Sequence, residues 1–336
     1  VKIAITCIFF ISVSFTACLK EEKPVTIPEK NLNSKYISLD AKPENENIIF
    51  FDFSTGNYVT ASNKEWMLAL DASKGGFNVR INHSIAGRQI YESKDTAFST
   101  SANEILKNGI AKMDSVSSWN AHTAIGDWWR NGYKSNKTYV YYIPADILGE
   151  GEHQFKFKLI DNNTKAYKIK FMDEKSTDKT IYYHTIEKND AYNYVYFSFF
   201  EKGKILKIEP PKSNWDIEFT QYRDMVLNKA DNKMYPYQVL GVLINPYNTL
   251  VHKITTEDFD NIDYNFCTKA PLCNISNTIG YDWKSYDLGL AKYSLTPHLA
   301  WVIKDNEETY HKFRFISFYN NQGISGYPTF EYISFK

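Results

Sequence analysis

Along much of the chain, apolar residues alternate with polar ones at a period of two. Phe155, Phe157 and Leu159 are interleaved with Lys156 and Lys158, and Tyr167, Ile169 and Phe171 with Lys168 and Lys170. That spacing puts the apolar side chains of a strand on one face and the lysines on the other, so it predicts an antiparallel sheet with one wet face. Asp161-Asn162 and Asp305-Asn306 stand between such runs and tolerate the left-handed backbone of a tight turn, so both read as hairpins. Helical spacing is weak: Glu104 to Met113 fits a short helix, and Thr255 to Asp260 one turn of another. The expected class is all-β.

The pattern occurs twice. Phe50-Phe51-Asp52-Phe53-Ser54-Thr55-Gly56, followed by Trp66-Met67-Leu68-Ala69-Leu70, has its counterpart in Tyr196-Phe197-Ser198-Phe199-Phe200-Glu201-Lys202-Gly203, followed by Trp215-Asp216-Ile217-Glu218-Phe219. Ile125-Gly126-Asp127-Trp128-Trp129 matches Ile279-Gly280-Tyr281-Asp282-Trp283, and Tyr139-Val140-Tyr141-Tyr142-Ile143-Pro144 matches Tyr293-Ser294-Leu295-Thr296-Pro297. Tyr167 through Phe171 matches His311 through Phe315, and Thr180 through Tyr183 matches Thr329 through Tyr332. Offsets run from 144, for Asp161 and Asp305, to 154, for Gly126 and Gly280. A period this long is no solenoid; it fits two small domains in tandem, here 36–187 and 188–336. Trp215 then echoes Trp66, each heading a core strand.

Aromatics make up 16% of the 336 residues, with 25 Tyr and 22 Phe, which suits half-buried pleated surfaces. The formal charge is zero, so the chain lacks the basic footprint that nucleic acid or an anionic membrane face would require. At the N-terminus, Lys2 precedes a largely apolar run from Ile3 to Phe15, too short to span a bilayer and built like a secretory leader. Thr16-Ala17-Cys18 resembles the lipobox of bacterial lipoproteins, which makes residues 1–17 a signal peptide and Cys18 the lipidated first residue; cleavage near Ala17 by an ordinary signal peptidase is the alternative. Residues 18–35 read as a flexible tether, polar and Pro-containing. Its Leu19-Lys20-Glu21-Glu22-Lys23 resembles the surface-export signals of some Gram-negative lipoproteins, a plain solvated linker being the other reading. Cys267 and Cys273 remain, and an oxidising compartment favours a disulfide between them over free thiols or metal.

In the second unit, Trp215-Asp216-Ile217-Glu218-Phe219, Gly241-Val242-Leu243-Ile244-Asn245-Pro246-Tyr247, Ile279-Gly280-Tyr281-Asp282-Trp283, His311-Lys312-Phe313-Arg314-Phe315 and Gly326-Tyr327-Pro328-Thr329-Phe330-Glu331-Tyr332 follow one another in order. Together with the lipobox, this order resembles the HmuY-like haem-binding lipoproteins of Bacteroidota, over residues 190–336 and more faintly over 36–187. The resemblance implies two tandem HmuY-like antiparallel β domains, lipid-anchored in the outer membrane at the cell surface. It further implies capture of haem or a related tetrapyrrole without catalysis, between axial His or Met ligands, and transfer to an outer-membrane transporter. The quoted motifs contain no such ligands. Tyr286 is the candidate of the second unit, since tyrosine ligates ferric haem, against the reading of a surface tyrosine. In the first unit the candidates are Met113 and His122, against a core methionine and a solvated loop histidine.

Other chemistries lack their motifs: no nucleophile elbow, zincin helix, phosphate loop or calcium loop occurs, and His83, His153, His184, His252, His298 and His311 lack metal-ligand spacing. The chain is therefore not expected to be an enzyme. Asp95-Thr96-Ala97 and Asp114-Ser115-Val116 resemble an O-glycosylation pattern of exported Bacteroidota proteins, beside the reading of ordinary polar loops. The competing function is a surface adhesion module binding a glycan or protein through aromatics such as Trp128, Trp129 and Trp283.

Overall fold

The computed structural model describes residues 33–42, 46–82, 84, 88–116, 123–130, 133–144, 151–228, 231–287 and 289–335. Four antiparallel sheets carry the fold. Sheet I orders the strands Tyr182–Glu187, Ala166–Asp173, His153–Asn162, Tyr139–Ile143, Gln89–Glu92 and Ile110–Lys112. Sheet II orders Lys204–Leu206, Tyr194–Ser198, Leu68–Asp71 and Val79–Ile81; sheet III orders Lys233–Ile244, Ile217–Asn228, Asn47–Phe51 and Tyr58–Ser62. Sheet IV orders Lys35–Ser38, Ser325–Phe335, Tyr310–Tyr319, Ala300–Lys304 and Leu250–Ile254.

Three apolar clusters stack these sheets in the order I, II, III, IV. Leu68, Leu70 and Phe197 of sheet II meet Tyr141, Phe157 and Ile169 of sheet I. Ile49, Phe51 and Phe219 of sheet III meet Trp301, Phe313 and Phe330 of sheet IV. The remaining faces of the inner sheets meet each other, Ala69, Tyr194 and Tyr196 against Ile48, Phe50 and Leu243. The central strands of sheets II and III are thus buried on both faces. This is why Ile48–Phe51 reads as an unbroken apolar run, whereas the strands of sheet I alternate.

The sheets do not divide at residue 187. The first strand of each repeat pairs with the second strand of the other: Asn47–Phe51 with Ile217–Asn228, through Phe51 opposite Ile217, and Tyr194–Ser198 with Leu68–Asp71, through Tyr196 opposite Ala69. Residues Lys35–Ser38 likewise form the edge of sheet IV, against Ser325–Phe335. The echoing tryptophans sit at this exchange. Trp66 packs edge-on against Tyr196 at 5.2 Å and Trp215 against Phe50 at 5.0 Å, so each indole precedes its strand because it wedges that strand against the exchanged one.

The turn at Asp305-Asn306 forms as predicted, with Asp305 Oδ1 accepting from Glu307 N and Thr309 N. The other lies slightly later than predicted: Asp161 and Asn162 end the strand His153–Asn162, paired with Lys168 and Tyr167, and the turn is made by Asn163, whose Oδ1 accepts from Lys165 N and Ala166 N. The predicted helix spans Ala102–Asn108, capped by Ser101 Oγ on Glu104 N, and its last residues instead enter the strand Ile110–Lys112. The second helical turn lies slightly later, as a 3-10 turn at Phe259–Asn261 and a helix at Tyr264–Lys269. These segments cover outer faces expected to be wet. Lys156 is buried and donates to Thr100 O, and Lys312 to Phe259 O at 2.7 Å, each with its ammonium over an aromatic ring, of Phe98 and Phe259 respectively.

The expected disulfide is not formed; both cysteines are free thiols. Cys267 turns into the cluster of Ile254, Phe259 and Val302, where burial pushes its thiol up to about 12. Cys273 instead pairs its backbone with Val251, and its Sγ lies 3.3 Å from Thr278 Oγ1, so the two sulfurs are engaged in different places. Among the described residues no helix is long and apolar enough to cross a membrane. Cys18 lies outside them, with the whole leader and most of the tether.

Candidate functional site

Two hairpins converge beside sheet IV. The ribbon Lys284–Asp287 pairs with Lys292–Leu295, setting Tyr286 opposite Tyr293, with ring centroids 4.9 Å apart. Its turn is fixed by Asp287, whose Oδ1 accepts from Gly289 N and Leu290 N. Tyr293 N donates to Tyr319 Oη, tying the ribbon to the strand Tyr310–Tyr319. The second hairpin, Ile217–Asn228 with Lys233–Ile244, is joined to the ribbon through Leu240 and carries the exposed Tyr237. Burial raises the Tyr293 hydroxyl pKa, and the charges of Tyr237, Tyr286 and Tyr319 raise it further. Tyr286 is 49% exposed, Tyr237 66% and Leu290 74%. The result is an open aromatic surface, and its floor is a lysine. Lys284 Nζ donates to Leu240 O at 2.6 Å and lies 4.2 Å from the Trp283 ring and 5.0 Å from that of Phe318. Burial lowers its pKa to about 7 against the opposing charge of Asp282, so near neutral pH a large share of this amine is uncharged.

Of the residues singled out in the sequence, Tyr286 is thus central to the surface. Met113 lies elsewhere, half-buried just beyond the strand Ile110–Lys112 of sheet I, and among the described residues no hydrogen bond links it to Tyr286. His122 is outside the described residues. Trp128 and Trp283 are buried in the two sandwich cores rather than displayed. Tyr237, Tyr293, Tyr319 and Lys284 carried no local signal beyond the Tyr-Pro-Tyr run at 235–237.

Between sheets II and III lies a partly open cavity of about 70 Å³, lined among others by Arg80, Asp114, Glu218 and Tyr222. It is several-fold below the roughly 300 Å³ of small-molecule pockets. Asp114 is held in its wall: its carboxylate accepts from Ile81 N at 2.9 Å and Ala124 N at 2.6 Å and faces Arg80 at 3.7 Å. Asp114→Ala leaves the buried N–H groups of Ile81 and Ala124 without their acceptor and removes the carboxylate that faces Arg80, and the expected loss of about 3–5 kcal/mol is read from the urea midpoint. The same burial of Asp114 and Val116 takes the second of the glycosylation-like patterns off the surface, while Asp95 and Thr96 are exposed. Among the described residues no three His, Cys, Asp or Glu side chains are grouped to hold a metal ion.

The fold and surface together define an all-β protein with an open tyrosine face. No family model matches the chain, and no curated protein does. Among solved structures it is similar to apo PinO from Porphyromonas gingivitis, at 9% identity over 91% of this chain and 99% of that one, TM-score 0.28. It is similar to the apo HmuY analog of Tannerella forsythia, at 11% identity over 90% and 96%, TM-score 0.26. It is also similar to a HmuY-like heme binding protein of Bacteroides vulgatus, at 14% identity over 90% and 91%, TM-score 0.22. Superpositions this loose assign neither a ligand nor a residue role.

Proposed function

We propose that this chain is a surface lipoprotein, anchored through Cys18, that takes up haem or a related tetrapyrrole at the tyrosine surface and does no chemistry on it. The observation that carries the reading is the aromatic group formed by Tyr286, whose ring lies 4.9 Å from that of Tyr293, and Tyr319, whose hydroxyl accepts from Tyr293 N, with Tyr286 half-exposed. Aromatic faces bind a planar ring by stacking, and a phenolate is an established axial ligand of ferric haem. The order of motifs in the second unit supports the same ligand class, and an outer-membrane transporter is the partner this function calls for.

A second reading is favoured by the openness of the surface. A glycan or protein also docks on exposed tyrosines, and needs no enclosed slot. A visible absorption titration with ferric haem separates the two. The expected result is a saturable Soret shift that Tyr286→Phe weakens by about tenfold or more, because the ring face remains and the iron ligand is lost. Met113→Ala should leave the titration unchanged. If Tyr286→Phe binds as the parent does while Tyr286→Ala does not, stacking alone operates and iron ligation at Tyr286 is wrong. A nonsaturating response from the parent removes haem and leaves the adhesion module.

A further inference from the structure

A second constellation lies across two interior strands of sheet IV, beside the strand Lys35–Ser38. His311 and Ser334 are directly opposite on neighbouring strands. His311 Nδ1 is 2.9 Å from Ser334 Oγ, and Nε2 is 2.7 Å from Asp305 Oδ2. Asp305 is itself immobilised: Oδ1 accepts from Glu307 N at 2.9 Å and Thr309 N at 2.8 Å, and Oδ2 also accepts from Ser54 Oγ at 2.7 Å. Burial pushes this carboxyl up, and the hydrogen bonds from His311, Ser54 and Thr309 together hold it below the usual carboxylate range, so it is ionised at neutral pH.

An ionised carboxylate only accepts, so the nitrogen facing Asp305, Nε2, carries a proton, and Nδ1 is the nitrogen that faces the Ser334 hydroxyl. Hydroxyl, imidazole and orienting carboxylate are thus connected in the order that a serine nucleophile requires. The ring is reversed relative to the familiar triad, in which the carboxylate holds Nδ1, but either nitrogen performs the proton transfer.

Ser334 and His311 line an open groove of about 530 Å³ with Ser54, Glu307, Thr309, Lys35 and Asn33, within the size range of small-molecule sites. The repeat shows that the scaffold does not need this histidine. At the equivalent place in the first unit stands Tyr167, whose hydroxyl donates to the Asp71 carbonyl at 2.9 Å.

We propose that Ser334 is the nucleophile of an acyl-transfer site for small carboxylic esters, with His311 as general base and Asp305 as the positioning residue. Ser334 Oγ forms a bond to the acyl carbon as its proton passes to His311 Nδ1. The ester C–O bond then breaks, and the same proton goes to the departing alkoxide, leaving an acyl-serine. Water, giving its proton to Nδ1, attacks the acyl carbon; Ser334 recovers the proton and the carboxylic acid departs.

The test treats the full chain with diisopropyl fluorophosphate and maps the adduct by mass spectrometry, alongside p-nitrophenyl acetate hydrolysis. One phosphoryl group on Ser334 is expected, with fluoride released. Ser334→Ala should abolish labelling, and His311→Gln should slow it by about 10²–10⁴-fold, the usual contribution of a general base. Asp305→Asn should slow it and change its pH profile, which a merely structural side chain would not do. Thermal melts of each variant separate lost reactivity from lost fold, and Ser334→Ala, the mildest change, is expected to melt as the parent. Parent chain that stays unlabelled overturns the proposal, as does a folded His311→Gln chain that labels at the parental rate.

Discussion

Residues 33–187 and 188–336, produced as separate chains, are expected to be unfolded apart and to fold on mixing. The first fragment holds Asn47–Phe51, whose partner Ile217–Asn228 lies in the second; the second holds Tyr194–Ser198, whose partner Leu68–Asp71 lies in the first. Alone, the second fragment loses Ile49, Phe51 and Phe53 from its sandwich core, and the first loses Phe197 and Phe199 from its own. Each such side chain stabilises by about 1.5–3 kcal/mol when buried. Two or three of them, with the inner sheet cut in half, take away most of the 5–15 kcal/mol typical of a whole domain. Far-UV circular dichroism and urea titration of each fragment and of the mixture check this. Cooperative unfolding of either fragment by itself would show that the repeats are autonomous domains and that the strand exchange is dispensable.

The same exchange explains how far the sequence is readable. Alternation, turn residues and the long repeat identify the strands and hairpins, because those signals are local. Which strand pairs with which is not local. Asn47–Phe51 has the same neighbours in sequence whether it pairs within its own repeat or with Ile217–Asn228, and only its lack of alternation betrays burial on both faces. The cysteines misled for a related reason. A five-residue spacing suits a small disulfide loop, but the packing of Cys267 among Ile254, Phe259 and Val302 depends on residues far along the chain.

Tyr286 could be singled out by its residue type, whereas Tyr237 and Lys284 become part of the surface only when two hairpins separated by tens of residues meet. His311 and Asp305 are an intermediate case. They face each other across one hairpin loop, yet in the sequence one reads as a turn residue and the other as a scattered histidine, and they form a unit only when the strand carrying Ser334 is laid beside them.

Stability is expected to fall as pH rises from about 5 to about 8, the reverse of the trend set by paired surface carboxylates. Three acids in the inner layers are responsible. Burial pushes Glu218 up to about 8 against the opposing charge of Arg80. Burial also takes Glu209 to about 8, with the nearby Glu218 charge adding to it and the backbone N–H groups of Tyr194 and Asn193 opposing. Asp216 rises to about 7, through burial and then the charges of Asp305 and Asp52, against a hydrogen bond from Phe53 N.

Each group holds a proton in the folded chain that the unfolded chain releases near its ordinary value, 4.5 for Glu and 3.8 for Asp. Between those values and the raised ones the folded state binds more protons, so the stability they confer is complete below about pH 4 and lost progressively up to about pH 8. Each group costs about 1.4 kcal/mol per pH unit inside its window. Asp173 and Asp305 have lowered pKa values and act oppositely, their contribution being lost as pH falls below about 4, and the buried Lys284, lowered to about 7, offsets one of the three acids above about pH 7, because the unfolded chain keeps that proton up to its ordinary 10.5. The optimum therefore sits in mildly acidic solution. Urea midpoints at pH 5 and pH 8.5 measure the slope, and Glu218→Gln, which carries no charge at either pH, should gain on the parent at pH 8.5 and match it near pH 5. A midpoint that is level or rises between pH 5 and 8.5 would mean that these carboxyls are solvated or ion-paired in the folded chain, and that the layer between sheets II and III opens to water.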